Sequence, residues 1–290
     1  MATSAVTAGV APAVPEELAR EVVRAQLAFD PLVPWLLALL LVLMGAVFWR
    51  WGVARPWPPA TQARVRAAVA LGLLWAALAW GLFGAPAAPL PVLQTLDAAA
   101  AAWARDVQAL PALPWLAVRL SDLGELLVLA GVTGVVAAGL LLARRPALAL
   151  GWVLAIGINS LAVRVLKNLF ARARPLAGEP SRMDGAGDWI TSGFSFPSGH
   201  AAGSAMVYGV LAWLLCQRVP PAWRWPVGLA CALLVGGVAI SRVLLGVHFL
   251  SDVVGGLLWA GALGLLAVTV LDRLGATAVN SIPDRPLSLR

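Results

Sequence analysis

A polytopic membrane bundle of α-helices is the fold class this sequence predicts, and three observations carry the prediction. Of the 290 residues, 61% are hydrophobic. Only 12% are charged, where a soluble domain carries about 25%. The apolar residues also gather in runs of roughly the 20 residues that a helix needs to cross a bilayer core. The net charge of +7 carries no basic run interleaved with aromatics, so it does not point to nucleic acid. It reads more simply as arginine on cytoplasmic loops.

Seven runs qualify as spans, at about 33–50, 64–84, 123–143, 147–166, 200–217, 226–244 and 249–271. Ahead of them, residues 1–32 are Ala/Pro-rich and then read PEELAREVVRAQLAF. That segment suits an amphipathic helix on the membrane surface or a disordered tail. It lacks the basic start, apolar core and cleavage site of a signal peptide. The long connection 85–122 contains LQTLDAAAAAWARDVQAL, ended by PALP, and then WLAVRLSDLGE. Both stretches read as helices in the outer interface. Fourteen tryptophans scatter near span ends, as an aromatic belt requires. Cys216 and Cys231 lie in apolar stretches and read as small buried residues.

Arginine sets the orientation. Arg50, Arg55, Arg64, Arg66, Arg144, Arg145, Arg218 and Arg224 fall in alternate loops, which the positive-inside rule makes cytoplasmic. Residues 1–32 are then an extracytoplasmic segment, and 33–63 an additional N-terminal span with its cytoplasmic loop. Residues 64–272 form a six-span core, and 273–290 a cytoplasmic tail. Loops 85–122, 167–199 and 241–249 face outward.

The outward side should be poor in cations, yet it holds a cluster of them. Lys167, the one lysine in the chain, begins KNLFARARP, with Arg172 and Arg174 behind it. Ser198, Gly199 and His200 follow at the mouth of an apolar run, and SRVLLGVHFLSD supplies Arg242, His248 and Asp252. Ionisable residues at span ends are functional candidates. His248 and Asp252 are four apart and share a face if helical. A carboxylate behind an imidazole suits a histidine nucleophile or base, and it equally suits a surface ion pair. His200 at a helix N-terminus suits an anion site, or an ordinary capping turn. Gly199 permits close approach of an anion, and Ser198 adds a hydroxyl. Lys167, Arg174 and Arg242 are donors only and suit phosphate oxygens. Singly, each is also a snorkelling side chain, the reading that fits Arg105, Arg119 and Arg164. Arg172 stands apart from the pattern. Glu179, Asp184 and Asp188 read as a solvated loop.

Taken jointly, Lys-x6-Arg-Pro, Pro-Ser-Gly-His and Ser-Arg-x5-His-x3-Asp resemble the type 2 phosphatidic acid phosphatase superfamily, with every motif position filled. The resemblance implies a membrane phosphatase working without metal or other cofactor. It implies that His248 attacks phosphorus to form a phosphohistidine, that Asp252 orients His248, and that His200 protonates the leaving oxygen and then activates water. Lys167, Arg174, Ser198, Gly199 and Arg242 would hold the phosphoryl oxygens. The expected substrate is a lipid phosphate or diphosphate at the outer face of a bacterial inner membrane, with undecaprenyl diphosphate first. Phosphatidylglycerophosphate, phosphatidic acid and lipid A phosphate are the competitors. A lipid phosphotransferase using the same site is the other enzymatic reading. A transporter or scaffold that kept the motifs is the non-enzymatic one.

Overall fold

The structure is a computed structural model, and it describes residues 58–84, 89–110, 112–175 and 194–280. The additional span at 33–50, the N-terminal segment, and Glu179, Asp184 and Asp188 lie outside the described residues, as does the tail beyond 280. Within the described residues the chain is all-helical, with eight helices. These are α1 (Pro59–Phe83), α2 (Pro91–Gln108), α3 (Leu113–Asp122), α4 (Leu126–Leu142), α5 (Pro146–Phe170), α6 (Gly199–Cys216), α7 (Pro221–Leu244) and α8 (Leu250–Asn280).

Proline opens α1, α2, α3, α5 and α7, at the position where its missing N–H costs nothing. α1, α5, α6, α7 and α8 are each long and apolar enough to cross a membrane. The expected span at 123–143 corresponds to α4, and the short helix expected before it to α3. α4 has only 17 residues, and it joins α3 across a 45° bend at 123–125. Taken together, the pair is long and apolar enough for a broken span or a re-entrant loop. Irregular backbone at membrane depth needs partners from the protein. Here the Tyr208 hydroxyl donates to the Leu123 carbonyl at 2.7 Å, and the Gly124 N–H donates to Ser121 O at 2.8 Å. Gly124 is required for closeness. A Cβ there would lie 2.5 Å from Val238 Cγ1 and 3.1 Å from His200 Cδ2.

α8 is the hub, packing against α1, α5, α6, α2 and α7. One core joins α4, α5, α6 and α8 through Leu129, Trp152, Met206, Val207, Ala260 and Leu271. A second joins α1 to the end of α5 and the segment before α6 through Trp75, Phe83, Phe170 and Phe196. The tryptophans therefore divide. Trp115, Trp223 and Trp225 are exposed near helix starts, as a belt requires, but Trp75 and Trp152 are core residues. Cys216 and Cys231 are half-buried free thiols. Outward, Leu127 and Leu142 are 84% and 86% exposed, an apolar surface of the kind a membrane helix presents.

At one end of the bundle Arg64 pairs with Asp272 at 2.8 Å, joining the start of α1 to the end of α8. The functional candidates collect elsewhere: at the end of α5, the start of α6, the end of α7 and the start of α8. Two glycines of α8 let the segment before α6 lie against it. A Cβ on Gly255 would meet Phe196 at 2.4 Å, and one on Gly256 would meet the Ser198 carbonyl at 2.6 Å.

Candidate active site

Lys167 sits one turn before the end of α5. Ala171 caps that helix in the left-handed conformation, at φ 45°. This turn sends Arg172 and Arg174 back over the bundle. The Phe194–Ser198 segment then leads into α6, where Ser198 is the N-cap and its hydroxyl accepts from the Ala201 N–H at 3.5 Å. Arg242 lies in the last turn of α7, and His248 in the short link between α7 and α8.

These segments surround a cavity of about 400 Å³. Lys167, Arg174, Gly199, His200, Arg242 and His248 all line it. Six of the eight sequence candidates thus meet on one space. The other two stand behind it. Asp252 is fully buried, and Ser198 is buried as a helix cap that also donates its N–H to the Asp252 carbonyl at 2.9 Å. Gly199 leaves room, since a Cβ there would meet only Lys167 Cε at 3.8 Å and Val163 Cγ1 at 3.9 Å. The α6 N-terminus adds a dipole end that favours an anion.

The cations are held by the backbone around them. The Lys167 ammonium donates to the Phe194 carbonyl and, at 3.2 Å, to the Ser195 carbonyl. An ammonium has three donors, so one remains for a ligand. Arg174 Nη1 donates to Val247 O at 3.2 Å, and burial draws this guanidinium below its ordinary pKa. Arg242 Nη1 donates to the Ser121 hydroxyl, while its buried Nε has no hydrogen-bond partner.

His248 and Asp252 do not share a helical face as their spacing suggested. His248 precedes α8 and Asp252 lies in its first turn, where Oδ2 accepts the Phe249 N–H at 2.9 Å. His248 Nδ1 is 3.5 Å from Asp252 Oδ2. Ser195 stands between them, its Oγ 3.2 Å from His248 Nδ1 and donating to Asp252 Oδ2 at 2.5 Å. With that proton committed to the carboxylate, Ser195 Oγ accepts from Nδ1–H, and Nε2 keeps its lone pair. Burial lowers the His248 pKa to about 3, and the cations Lys167 and Arg174 act the same way, against the pull of Asp252. His248 is therefore a neutral imidazole at physiological pH, the form that can attack an electrophile.

Several members of the site carried no sequence signal. His200 Nε2 lies 3.1 Å from Glu125 Oε1, at the break between α3 and α4. Ser195, Ser121 and Glu125 come from segments that no motif spacing connects. Arg172, set apart in the sequence, is central to the support. Its Nη1 donates to Asp252 Oδ1 at 2.5 Å and to Ser251 Oγ at 2.7 Å, and its Nη2 pairs with Asp97 at 2.8 Å. Asp97 in turn accepts from the Ser251 N–H and hydroxyl at 2.8 and 2.6 Å. A second signal was present for Arg172, since it is one of two arginines in ARAR on a side that should lack them.

The model for the PAP2 superfamily matches residues 147–276, which span α5 to α8. Phosphatidylglycerophosphatase B of Bacillus subtilis is 35% identical over 158 residues, covering 53% of this chain and 72% of that protein. The chain belongs to the PAP2 superfamily. Lipid A 1-phosphatase of Rhizobium etli is 34% identical over 96 residues, 33% of this chain and 38% of that one. The crystal structure of a transmembrane PAP2 type phosphatidylglycerolphosphate phosphatase from Bacillus subtilis superposes with a TM-score of 0.57 at 28% identity. That match covers 76% of this chain and 99% of that one. This PAP2 protein is a multi-pass membrane lipid phosphatase.

Proposed function

We propose that this PAP2 phosphatase removes the terminal phosphate of phosphatidylglycerophosphate by way of a phosphohistidine, at the extracytoplasmic face of a bacterial inner membrane. One observation carries the chemistry: three cations, a helix N-terminus and two histidines converge on one cavity, with His248 Nδ1 engaged and its Nε2 available. The names of the relatives favour phosphatidylglycerophosphate over undecaprenyl diphosphate, the first expectation from sequence.

The steps follow from the positions. Lys167, Arg174, Arg242 and the N–H groups opening α6 take the phosphoryl oxygens and offset the charge that grows on them. His248 Nε2 attacks phosphorus as the bond to the glycerol oxygen breaks. His200, steadied by Glu125, gives its proton to that oxygen. It then takes a proton from water, which attacks phosphorus and breaks the P–N bond, releasing phosphate and restoring His248. Ser195 and Asp252 fix the tautomer throughout. Cations and backbone donors supply the charge stabilisation in this scheme, so no metal is assigned a step. The outward orientation rests on the arginine-bearing loops and the parity of the spans.

Purified protein in detergent should release phosphate from phosphatidylglycerophosphate faster than from undecaprenyl diphosphate, phosphatidic acid or lipid A. It should do so equally well in EDTA. His248→Ala should abolish release, and His200→Ala should slow it by about 10²–10⁴-fold. Near-normal turnover by His248→Ala would refute the covalent route. Loss of activity in EDTA with recovery in magnesium would refute the metal-free one.

A further inference from the structure

The cavity extends beyond the phosphate cluster. On α5 its wall is one helical face, with Asn159, Val163, Arg164 and Lys167 among the lining residues. Leu126 and Leu129 of α4 line it as well, so this part of the space is largely apolar. Lys167 belongs to the phosphate cluster. Arg164 stands one turn away toward the middle of α5, about 4.5 Å along the axis. It makes no hydrogen bond or ion pair with any described residue.

Arg164 is a further cation on this cavity, beyond the three of the phosphate cluster. Lys167, Arg174 and Arg242 cluster near His248 and His200, whereas Arg164 lies outside that cluster. Arg164 is exposed, so its guanidinium is open to a ligand. A substrate carrying a second phosphate supplies an anion for it. In such a lipid the second phosphate lies between the scissile phosphorus and the apolar tail. Arg164 occupies the corresponding place, between the phosphate cluster and the apolar wall.

We infer that Arg164 is a specificity residue that binds the second, inner phosphate of a two-phosphate lipid while His248 attacks the terminal one. The inference rests on the lipid phosphatase reading above and deepens it. Two lipid classes offer this chemistry: a terminal phosphate joined through glycerol to a phosphodiester, and a polyprenyl diphosphate. Phosphatidic acid, with one phosphate, does not use Arg164.

Steady-state phosphate release by the wild type, Arg164→Gln and Arg164→Lys on phosphatidylglycerophosphate, undecaprenyl diphosphate and phosphatidic acid tests this. Arg164→Gln should lose about 10–100-fold in kcat/KM on a two-phosphate lipid, chiefly through KM, the loss expected for one charge-assisted contact. Its activity on phosphatidic acid should stay within about twofold, and Arg164→Lys should recover part of the loss. Whichever two-phosphate lipid shows the loss identifies the class. Equal loss on all three lipids, or no loss on any, overturns the role of Arg164 and leaves the phosphatase reading standing. A wild type that cleaves phosphatidic acid but neither two-phosphate lipid overturns both the inference and the proposed substrate.

Discussion

Ser195 shows how much a single hydroxyl carries at this site. It is fully buried, touches His248 on one side, and donates to the Asp252 carboxylate on the other. Without it, His248 Nδ1 faces Asp252 across 3.5 Å, beyond good hydrogen-bond length. Ser195→Ala removes a charge-assisted bond of about 1.5–3 kcal/mol. If that loss falls on the transition state, kcat drops by about 10–100-fold with little change in KM. Unchanged kcat would mean that Asp252 orients His248 unaided. The motif residues were legible in sequence because phosphate chemistry demands particular side chains: donors only at 167, 174 and 242, imidazoles at 200 and 248. Ser195, Glu125 and Ser121 were not legible. Serine and glutamate are ordinary loop residues, and only the fold brings them within 3.2 Å of a histidine or beside Arg242.

At the scale of elements, α2 is the part whose purpose sequence left open. It reads as an interfacial helix, and in the structure it is a helix whose Asp97 is 5% exposed and tied to Arg172 and Ser251. Through Arg172 the helix is joined to Asp252, and so to the orientation of His248. Removing one member of a buried pair costs about 3 kcal/mol or more. Asp97→Ala should therefore accelerate amide exchange across residues 91–108 and lower kcat, with the protein still membrane-inserted. Exchange confined to its wild-type rate would show that α2 is held by its apolar face alone. The bend between α3 and α4 is the other feature that sequence did not specify. An apolar run of the right length looks continuous, and Gly124-Glu125 is a small interruption in it. What breaks it is tertiary: close approach to Val238 and His200, and a carbonyl taken by Tyr208.

For the whole molecule, a buried neutral histidine has a consequence for acid stability. Above its ordinary pKa of about 6.5, His248 is neutral in folded and unfolded chains alike. As the pH falls below that value the unfolded chain gains a proton, which the folded chain refuses until about 3. Stability is therefore full above about pH 6.5 and declines as the pH drops toward 3. The fall in thermal midpoint between about pH 7.5 and pH 5 should be smaller in His248→Asn than in the wild type. An equal fall would assign the acid sensitivity to other groups. The bundle as a whole was legible because membrane spans are a matter of length and hydropathy, whereas which helix serves as hub was not. α8 holds that place through small residues that let other segments lie close, and Ala/Gly-rich composition is common to every span.

The ion pair between Arg64 and Asp272 bears on how the chain is threaded. It brings the first and last helices of the core together at one end of the bundle, so the core closes on itself like a ring. The order of connection is then one itinerary among several around the same ring. The motif-bearing arc from α5 to α8 is contiguous, and the remaining helices complete its wall with Ser121 and Glu125 from the far side of the circuit.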